Sequence, residues 1–352
     1  MSVSVDIEKR LGDFTLKAAF EAGNCVHGLL GASGCGKSLT LRCIAGVLRP
    51  DRGRIEVDGR TLFDSGAGLD LPPQKRRVGL LFQNYALFPN MTLEQNLLAV
   101  LRGKNAAERR GKVRDMLRRF HLEGLERHRP AQLSGGQQQR AALARILLTE
   151  PSALLLDEPF SALDSYLRWQ TELELSELLD AFPGTTLLVT HSRDEVRRLC
   201  ETVTVLDRGR AAGAVPVEEL FRRPKTLAAC LLSGCKNFSR ARGRGGDTVF
   251  AEDWGAPLRL SAPVPERLAY VAVRAHHIEI AEGPGENVLP CGVSRVVRDL
   301  FSAIVMAGTP GGGRLRVELD LADWEQYAAR GTLYLRLPPE RLMPLEEEAD
   351  GH

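Results

Sequence analysis

Eight residues near the start of the chain have the types and the spacing needed to hold a nucleotide phosphate. They fit the pattern G-x-x-x-x-G-K-S and are Gly31, Ala32, Ser33, Gly34, Cys35, Gly36, Lys37 and Ser38. Glycines let the backbone turn tightly and aim its N–H groups at phosphate oxygens, and the helix expected to follow adds the positive end of its dipole. In such a loop the lysine reaches the β- and γ-phosphates, and the serine hydroxyl binds Mg²⁺. We therefore expect this phosphate loop to bind ATP, with Lys37 on the phosphates and Ser38 on the metal.

Two adjacent carboxylates end an apolar run later in the chain. The run 153–156 suits a central parallel strand buried on both faces, and Asp157 and Glu158 follow it directly. Asp157 is predicted to hold Mg²⁺ beside the phosphate loop. Glu158 is predicted to point the other way and to act as the general base for the attacking water. For this pair alone, the alternative is a strand followed by a capped turn.

A second anion site is predicted at the start of another helix, over residues 137–149. The residues at this helix end are Ser134, Gly135, Gly136 and Gln137. A helix N-terminus attracts anions because its first N–H groups have no acceptor within the helix. The structural alternative is that Ser134 and Gln137 form a capping box. The two interpretations are compatible, since a cap that presents N–H groups also suits a γ-phosphate.

Two further polar residues follow short predicted strands. His191 ends the run 186–191, and Gln83 follows the run 78–81. A lone histidine is more often structural, but a position at the same sheet edge as Asp157 favours a role in catalysis. A neutral imidazole there can hydrogen-bond a γ-phosphate or orient the attacking water. Gln83 is a candidate contact to Mg²⁺ or to that water, and a candidate hinge.

Alternating strands and helices must position these residues. Short apolar runs predict strands over 25–30, 78–81, 153–158 and 186–191. A helix is predicted over 38–48, directly after the phosphate loop. Residues 84–135 are helical and charged in character. We therefore expect an α/β P-loop NTPase fold, with a RecA-like core over 1–235 and a helical subdomain over about 84–135.

The chain changes character after residue 235. Short β-like runs separated by Gly/Pro clusters predict strands over 268–273, 288–297, 304–307, 315–319 and 332–337. They predict a small all-β barrel over 287–345. Residues 236–286 are expected to be a linker or β segment, and 346–352 a disordered acidic tail.

Composition narrows the class of protein further. The chain has 352 residues and a formal net charge of +2, which gives no basis for nucleic-acid binding. No apolar run approaches the ~18 residues of a membrane span, and no signal peptide opens the chain. The seven cysteines show no C-x-x-C spacing, and a disulfide at Cys35 would obstruct the phosphate loop. These features favour a cytoplasmic location.

The motifs, in this order, resemble those of the ATP-binding subunits of ABC transporters. The resemblance covers residues 1 to about 235, and the segment Leu133–Gln137 (LSGGQ) separates this family from other P-loop enzymes. It implies a head-to-tail homodimer in which Ser134 and Gly136 complete the partner's nucleotide site. It also places Asp164 at the interface between the two sites.

The same resemblance implies how the dimer works. ATP closes it, hydrolysis assisted by Glu158 opens it, and the motion drives two integral membrane permease subunits. The protein would lie at the cytoplasmic face of the membrane and meet an extracytoplasmic substrate-binding protein only indirectly. An aromatic side chain usually stacks on the adenine, and Phe14 is the nearest candidate.

The transported substrate is narrowed by three segments. The loop 87–92 resembles that of importer subunits with a C-terminal OB/TOBE/Mop-like barrel, and the segments 220–237 and 274–280 resemble molybdate importers. The resemblance therefore implies uptake of molybdate or a related oxyanion such as tungstate. Sulfate, ferric iron, polyamine and sugar importers are the alternatives. A soluble, non-transport ABC ATPase is the alternative from another class, which the loop 87–92 and the single set of motifs disfavour.

An oxyanion site inside the barrel is a separate question. Asn287 matches the stretch that precedes the first strand of molybdate-binding modules. Glu286 stands where a basic or neutral residue would help, because a carboxylate beside an oxyanion is unfavourable. The alternative is a barrel that serves only dimerisation.

Overall fold

The chain forms two compact units, residues 1–217 and 218–352. The computed structural model describes residues 2–101, 105–161, 165–211 and 213–347. The division between the units falls earlier in the chain than the domain boundary predicted at residue 235. No helix among the described residues is long and apolar enough to cross a membrane.

The first unit combines strands and helices. Its strands are β1 Val3–Leu11, β2 Phe14–Ala22, β3 Val26–Leu30, β4 Arg52–Val57, β5 Arg60–Asp64, β6 Leu69–Asp70, β7 Val78–Leu81, β8 Ala153–Asp157, β9 Thr185–Thr190, β10 Thr202–Asp207, β11 Arg210–Ala211 and β12 Val215–Pro216. Its helices are α1 Lys37–Ala45, α2 Pro73–Arg76, α3 Leu93–Leu98, α4 Ala106–Arg119, α5 Gly135–Leu147, α6 Ser165–Asp180 and α7 Arg193–Leu199. Between β7 and β8 the described residues form helices α3 to α5, where the helical subdomain is predicted.

One twelve-stranded sheet organises this unit. Its order is β6-β5-β4-β1-β2-β11-β10-β3-β9-β8-β7, with β12 also paired to β10. Strands β10, β3, β9, β8 and β7 are parallel, whereas β1, β2, β4, β5 and β6 pair antiparallel. The carboxyl ends of β3, β8 and β9 therefore meet at one edge, where an open α/β sheet binds its ligands. The phosphate loop, Glu158 and His191 follow these three strands.

Helix α1 ends at Ala45, earlier than the predicted end at residue 48. Gly46 caps it in the left-handed region, with φ of 77°. The buried guanidinium of Arg76 donates to the carbonyl oxygens of Cys43 at 2.8 Å and Ile44 at 2.9 Å. A side chain at position 46 would clash with Arg76, since an added Cβ would lie 2.4 Å from its Nε. A residue distant in the chain thus fixes the end of this helix.

The second unit is mostly β-structure. Its helices are α8 Val217–Arg222, which begins at the last residue of the first unit, α9 Leu227–Leu232 and α10 Leu321–Glu325. Its strands are β13 Asn237–Gly245, β14 Thr248–Ala251, β15 Ala256–Arg259, β16 Leu268–Val273, β17 Glu279–Ala281, β18 Val288–Arg298, β19 Ser302–Gly308, β20 Arg314–Asp320, β21 Thr332–Arg336 and β22 Met343–Glu346. They form two five-stranded sheets, β15-β14-β13-β16-β22 and β17-β21-β18-β19-β20.

The two sheets share one hydrophobic core. Val249 and the fully buried Trp254 belong to the same cluster as Val305 and Leu335 from the other sheet. The predicted fold class, an α/β P-loop unit followed by an all-β unit of the OB/TOBE-like kind, is confirmed. The predicted acidic tail differs at its start, because Glu346 ends β22 and pairs with Leu268.

Candidate nucleotide-binding site

The phosphate loop lies between β3 and α1, in the strand–loop–helix context that its sequence requires. The ammonium group of the buried Lys37 donates to the carbonyl oxygens of Gly31 and Ala32, both at 2.8 Å. Gly36 has φ of 110°, and an added Cβ would lie 2.8 Å from the Leu16 side chain. At Gly31 an added Cβ would lie 2.3 Å from the Leu206 carbonyl oxygen. The backbone path therefore requires glycine at both positions.

The start of α1 fits a phosphate group. Gly36 is the N-cap residue and contributes no side-chain hydrogen bond. The first N–H groups of a helix have no acceptor within the helix, and the dipole is positive at this end. Lys37, already directed at the loop carbonyls, is within the same loop that would surround a phosphate. These features suit the phosphates of a nucleotide.

Ser38 and Asp157 meet beside the phosphate loop, as predicted. The Ser38 hydroxyl donates to Asp157 Oδ1 at 2.7 Å. Burial raises the pKa of Asp157, although the Ser38 hydrogen bond acts in the opposite direction. A hydroxyl and a carboxylate together supply the oxygen ligands that Mg²⁺ prefers. The two side chains therefore fit a magnesium ion.

Glu158 and His191 form a second polar pair at the same sheet edge. Glu158 has φ of 46° and its N–H donates to the Val189 carbonyl oxygen at 3.0 Å. Its Oε2 lies 3.5 Å from His191 Nδ1, and the two side chains are 20% and 57% exposed. Asp157 and Glu158, though adjacent, thus have different partners, as the predicted division between metal ligand and base requires.

Gln83 is connected to the backbone of Glu158 through Ser161. Gln83 Nε2 donates to Ser161 Oγ at 3.2 Å, and Ser161 Oγ donates to the Glu158 carbonyl oxygen at 2.9 Å. The proximity of Gln83 to the acidic pair agrees with its predicted place. The contact with Ser161 depends on the tertiary fold and had no sequence signal.

The LSGGQ residues cap α5. The N–H of Gln137 donates to Ser134 Oγ at 3.3 Å, and the N–H of Ser134 donates to Gln137 Oε1 at 2.9 Å. The capping box is therefore confirmed, and the helix begins at Gly135 rather than at residue 137. An added Cβ at Gly136 would find only Thr171 Oγ1, at 3.7 Å, so this position has open space beside it.

Phe14 and Asp164 are the two remaining predicted site residues. Phe14 begins β2, is half-buried, and lies against the phosphate loop, since an added Cβ at Gly36 would be 3.3 Å from its ring. Its stacking on adenine remains a prediction. Asp164 lies outside the described residues.

Asn287 is committed to the fold of the second unit. Its side chain donates to the carbonyl oxygens of Arg259 at 2.8 Å and Leu337 at 3.0 Å, and accepts from the Arg259 N–H at 2.7 Å. The carboxylate of Glu286 lies 3.2 Å from the Arg259 guanidinium. Because its amide hydrogens are already donated to main-chain oxygens, Asn287 has none left for an oxyanion. These contacts do not favour an oxyanion at the Asn287 side chain, and whether the barrel binds an oxyanion or serves only dimerisation stays a prediction.

Comparison with known proteins agrees with this geometry. Residues 15–161 match the family described as "ABC transporter". The chain is 36% identical to the molybdenum import ATP-binding protein ModC of Rhodospirillum rubrum, over 96% of this chain and 93% of that protein. It is 40% identical to ModC of Paramagnetospirillum magneticum, over 96% and 94%. It is also 34% identical to the spermidine/putrescine import ATP-binding protein PotA of Thermobifida fusca, over 87% and 76%.

Solved structures show the same fold for the first unit. The ATP-binding cassette MJ0796, a dimer bound to ADP and phosphate, is 28% identical with a TM-score of 0.51, covering 62% of this chain and 99% of its own. CbiO1 from Clostridium perfringens, part of the complex cbiONQ, is 30% identical with a TM-score of 0.54, covering 62% and 90%. The fold and the site define an ATP-binding cassette. The chain belongs to the ABC transporter family, as an ATP-binding subunit of the importer type.

Proposed function

We propose that this protein is the ATP-hydrolysing subunit of an importer for molybdate or a related oxyanion such as tungstate. The observation that carries this proposal is similarity to two ModC proteins at 36% and 40% identity over 96% of the chain. The similarity therefore includes both the ATPase domain, taken as 1–235, and the barrel, taken as 287–345. Shared substrate is the simplest reason for similarity that extends beyond the cassette.

The phosphate loop supplies the ATP site in this proposal. The loop N–H groups and Lys37 would hold the phosphates, and Ser38 and Asp157 would hold Mg²⁺, which would supply positive charge to offset that of the phosphates. The Lys37 ammonium has three N–H donors, so it can reach a phosphate without releasing both loop carbonyls. Phe14 is proposed to contact the adenine.

Glu158 acts as the general base. Its carboxylate is 20% exposed, so an attacking water would be able to reach it. His191, 3.5 Å away, orients that water or contacts the γ-phosphate. Gln83, bonded to Ser161, transmits the state of this site to the loop that follows it.

A second copy completes each site. Within one subunit Ser134 Oγ accepts from the Gln137 N–H and Gln137 Oε1 accepts from the Ser134 N–H. The N–H groups of Gly135 and Gly136 at the same helix end would meet a γ-phosphate of the partner. Gly136 lets that phosphate approach, and Asp164 lies between the two sites. The homodimer acts on two membrane permease subunits at the cytoplasmic face of the membrane, and a substrate-binding protein delivers the oxyanion outside.

Uptake by the reconstituted complex tests the substrate. The protein is purified with its membrane subunits, placed in proteoliposomes with its binding protein, and supplied with ATP and radiolabelled molybdate, sulfate or putrescine. We expect ATP-dependent accumulation of molybdate, and none when Glu158→Gln replaces the wild-type chain. Accumulation of putrescine or sulfate instead of molybdate would refute the proposed substrate.

The alternative with a specific observation in its favour is a polyamine importer. PotA of Thermobifida fusca is 34% identical over 87% of the chain, nearly as similar as the ModC proteins. The uptake assay separates the two, since putrescine is a cation and molybdate an anion, and the same binding protein cannot favour both.

A further inference from the structure

A strained turn follows Gln83 in the chain. Tyr85 and Ala86 have φ of 59° and 47°, in the left-handed region that L-residues rarely occupy. Neither residue is glycine, so the turn has a steric cost that contacts elsewhere in the fold must offset.

Arg145 of α5 supplies those contacts. Its Nη2 donates to the carbonyl oxygens of Ala86 at 2.8 Å and of Tyr85 at 3.4 Å. Its Nη1 lies 3.4 Å from Asn96 Oδ1, and its guanidinium is 5.1 Å from the centre of the Phe88 ring. One partly buried cation therefore contacts both strained residues and the aromatic ring that follows them.

Asn96 holds the rest of the same segment. Its Nδ2 lies within hydrogen-bond distance of the carbonyl oxygens of Phe88 at 3.2 Å, Met91 at 3.3 Å and Thr92 at 3.0 Å, and its Oδ1 accepts from the Phe88 N–H at 2.8 Å. The segment 85–92 is thus ordered by two side chains, of which only Arg145 belongs to α5.

The segment connects two places of different function. Its outer surface carries Phe88 and Met91, which are 46% and 38% exposed although both are large and apolar. Arg145 lies near the end of α5, whose first turn carries the capping residue Ser134. A helix transmits a displacement of one end to the other, so a movement of the Ser134 end reaches the turn through Arg145.

We propose that Arg145 is a positioning residue that couples α5 to the segment 85–92, and so passes nucleotide-dependent movement to the membrane subunits. This inference rests on the proposed importer function. Among the described residues, the contacts of Arg145 given above are to Tyr85, Ala86, Phe88 and Asn96, outside the phosphate loop and the acidic pair. Its effect is therefore on coupling rather than on the chemical step.

The test compares hydrolysis with and without the membrane subunits. Arg145→Gln removes the cation, and Arg145→Lys keeps the charge but not the planar fork. Arg140→Gln is the matched control, because Arg140 is on the same helix and pairs with Glu174 at 2.7 Å instead. We expect basal hydrolysis by the isolated Arg145 variants to stay within about twofold of wild type, while stimulation by the membrane subunits and transport fall about tenfold.

A second substitution separates coupling from stability. Ala86→Gly removes the steric cost of the positive φ at this residue, so the double variant Arg145→Gln/Ala86→Gly relieves the turn without restoring the link to α5, and its transport should stay as low as that of Arg145→Gln. The proposal fails if basal and stimulated hydrolysis fall together, if neither falls, if Arg140→Gln behaves like Arg145→Gln, or if Ala86→Gly restores transport to Arg145→Gln. A wild-type complex without stimulated hydrolysis would instead refute the importer function itself.

Discussion

At the scale of single residues, two adjacent carboxylates have opposite surroundings. Asp157 is buried against Ser38, whereas Glu158 turns through a positive φ toward the partly exposed His191. Charge next to a low-dielectric interior is costly, and an ion that binds there offsets the cost. The Asp157 carboxylate therefore lowers the stability of the nucleotide-free fold, although the same carboxylate is needed to bind a metal ion.

The variant Asp157→Asn tests this opposition. Burial raises the pKa of Asp157 above its unfolded value, so its contribution to stability is present at low pH and is lost as pH rises through the folded pKa. The neutral amide can still accept from Ser38. We expect a higher melting temperature for the nucleotide-free protein at pH 8, and ATP hydrolysis lower by about 10²–10³-fold.

In the control variant, Asp51→Asn, the expected change in melting temperature has the opposite sign. The backbone N–H of Arg10 and the ammonium of Lys9 lower the pKa of the exposed Asp51. Asp51→Asn should therefore lower the melting temperature slightly at pH 8 and leave hydrolysis unchanged. A loss of stability in Asp157→Asn would show that its carboxylate is not under strain in the empty site.

At the scale of elements, β3 contains a buried histidine whose protonation should destabilise the fold at low pH. His27 is fully buried, hydrogen-bonds Thr202 at 2.8 Å and Thr204 at 3.1 Å, and stacks on Phe20 with ring centres 5.4 Å apart. Burial lowers the pKa of His27 from 6.5 to about 4. Between about pH 4 and pH 6.5, the unfolded chain therefore binds a proton on His27 that the folded chain does not.

The pH dependence of unfolding follows from that difference. Because the pKa of His27 is depressed in the folded chain, the contribution of His27 to the free energy of unfolding is present above pH 6.5 and is lost as pH falls toward 4. Between pH 7.5 and 5 we expect the free energy of unfolding to fall by about 2 kcal/mol more in wild type than in His27→Gln, measured by urea denaturation. Equal decreases in the two proteins would show that His27 is already protonated in the fold.

Hydrogen bonds from the Asn287 side chain fix the start of β18, just as hydrogen bonds from the Arg76 side chain fix the end of α1. Asn287 has φ of 54° and three main-chain hydrogen bonds. We expect Asn287→Ala to lower the free energy of unfolding of the second unit by about 2–4 kcal/mol. Glu286→Gln, at an exposed ion pair, should change it by less than about 0.5 kcal/mol. ATP affinity of the first unit, measured by titration calorimetry, should be unchanged in both; a large change would contradict the purely local role of Asn287.

Some elements could be predicted from sequence, and the reasons are physical. The continuous apolar run of β8 predicts its strand correctly because a strand buried on both faces has no polar positions to obscure it. The run of β7 is equally apolar, although only its alternate residues are buried. Strand β13 was missed because arginines alternate along it and only one face is buried. The end of α1 and the contact of Gln83 with Ser161 were missed because each depends on a residue that the fold, rather than local sequence, brings near.

At the scale of the whole molecule, we propose that one subunit holds two half-sites. The phosphate loop with Ser38 and Asp157 forms one half, and the capped helix end at Ser134 forms the other. The capping box uses the N–H groups of Ser134 and Gln137, and we propose that those of Gly135 and Gly136 meet the nucleotide of a second copy. The structural relative MJ0796 is a dimer. We therefore expect ATP to be hydrolysed only where two chains meet.

Mixing two inactive variants tests this claim most directly. Lys37→Ala disables the phosphate loop and spares the helix end. Gly136→Asp places a carboxylate before the γ-phosphate, and the open space at this position lets the subunit keep its own fold. Each variant alone should hydrolyse almost no ATP. An equimolar mixture should regain about a quarter of wild-type activity, since half of the dimers are mixed and each has one intact composite site. A mixture as inactive as its components would contradict the account.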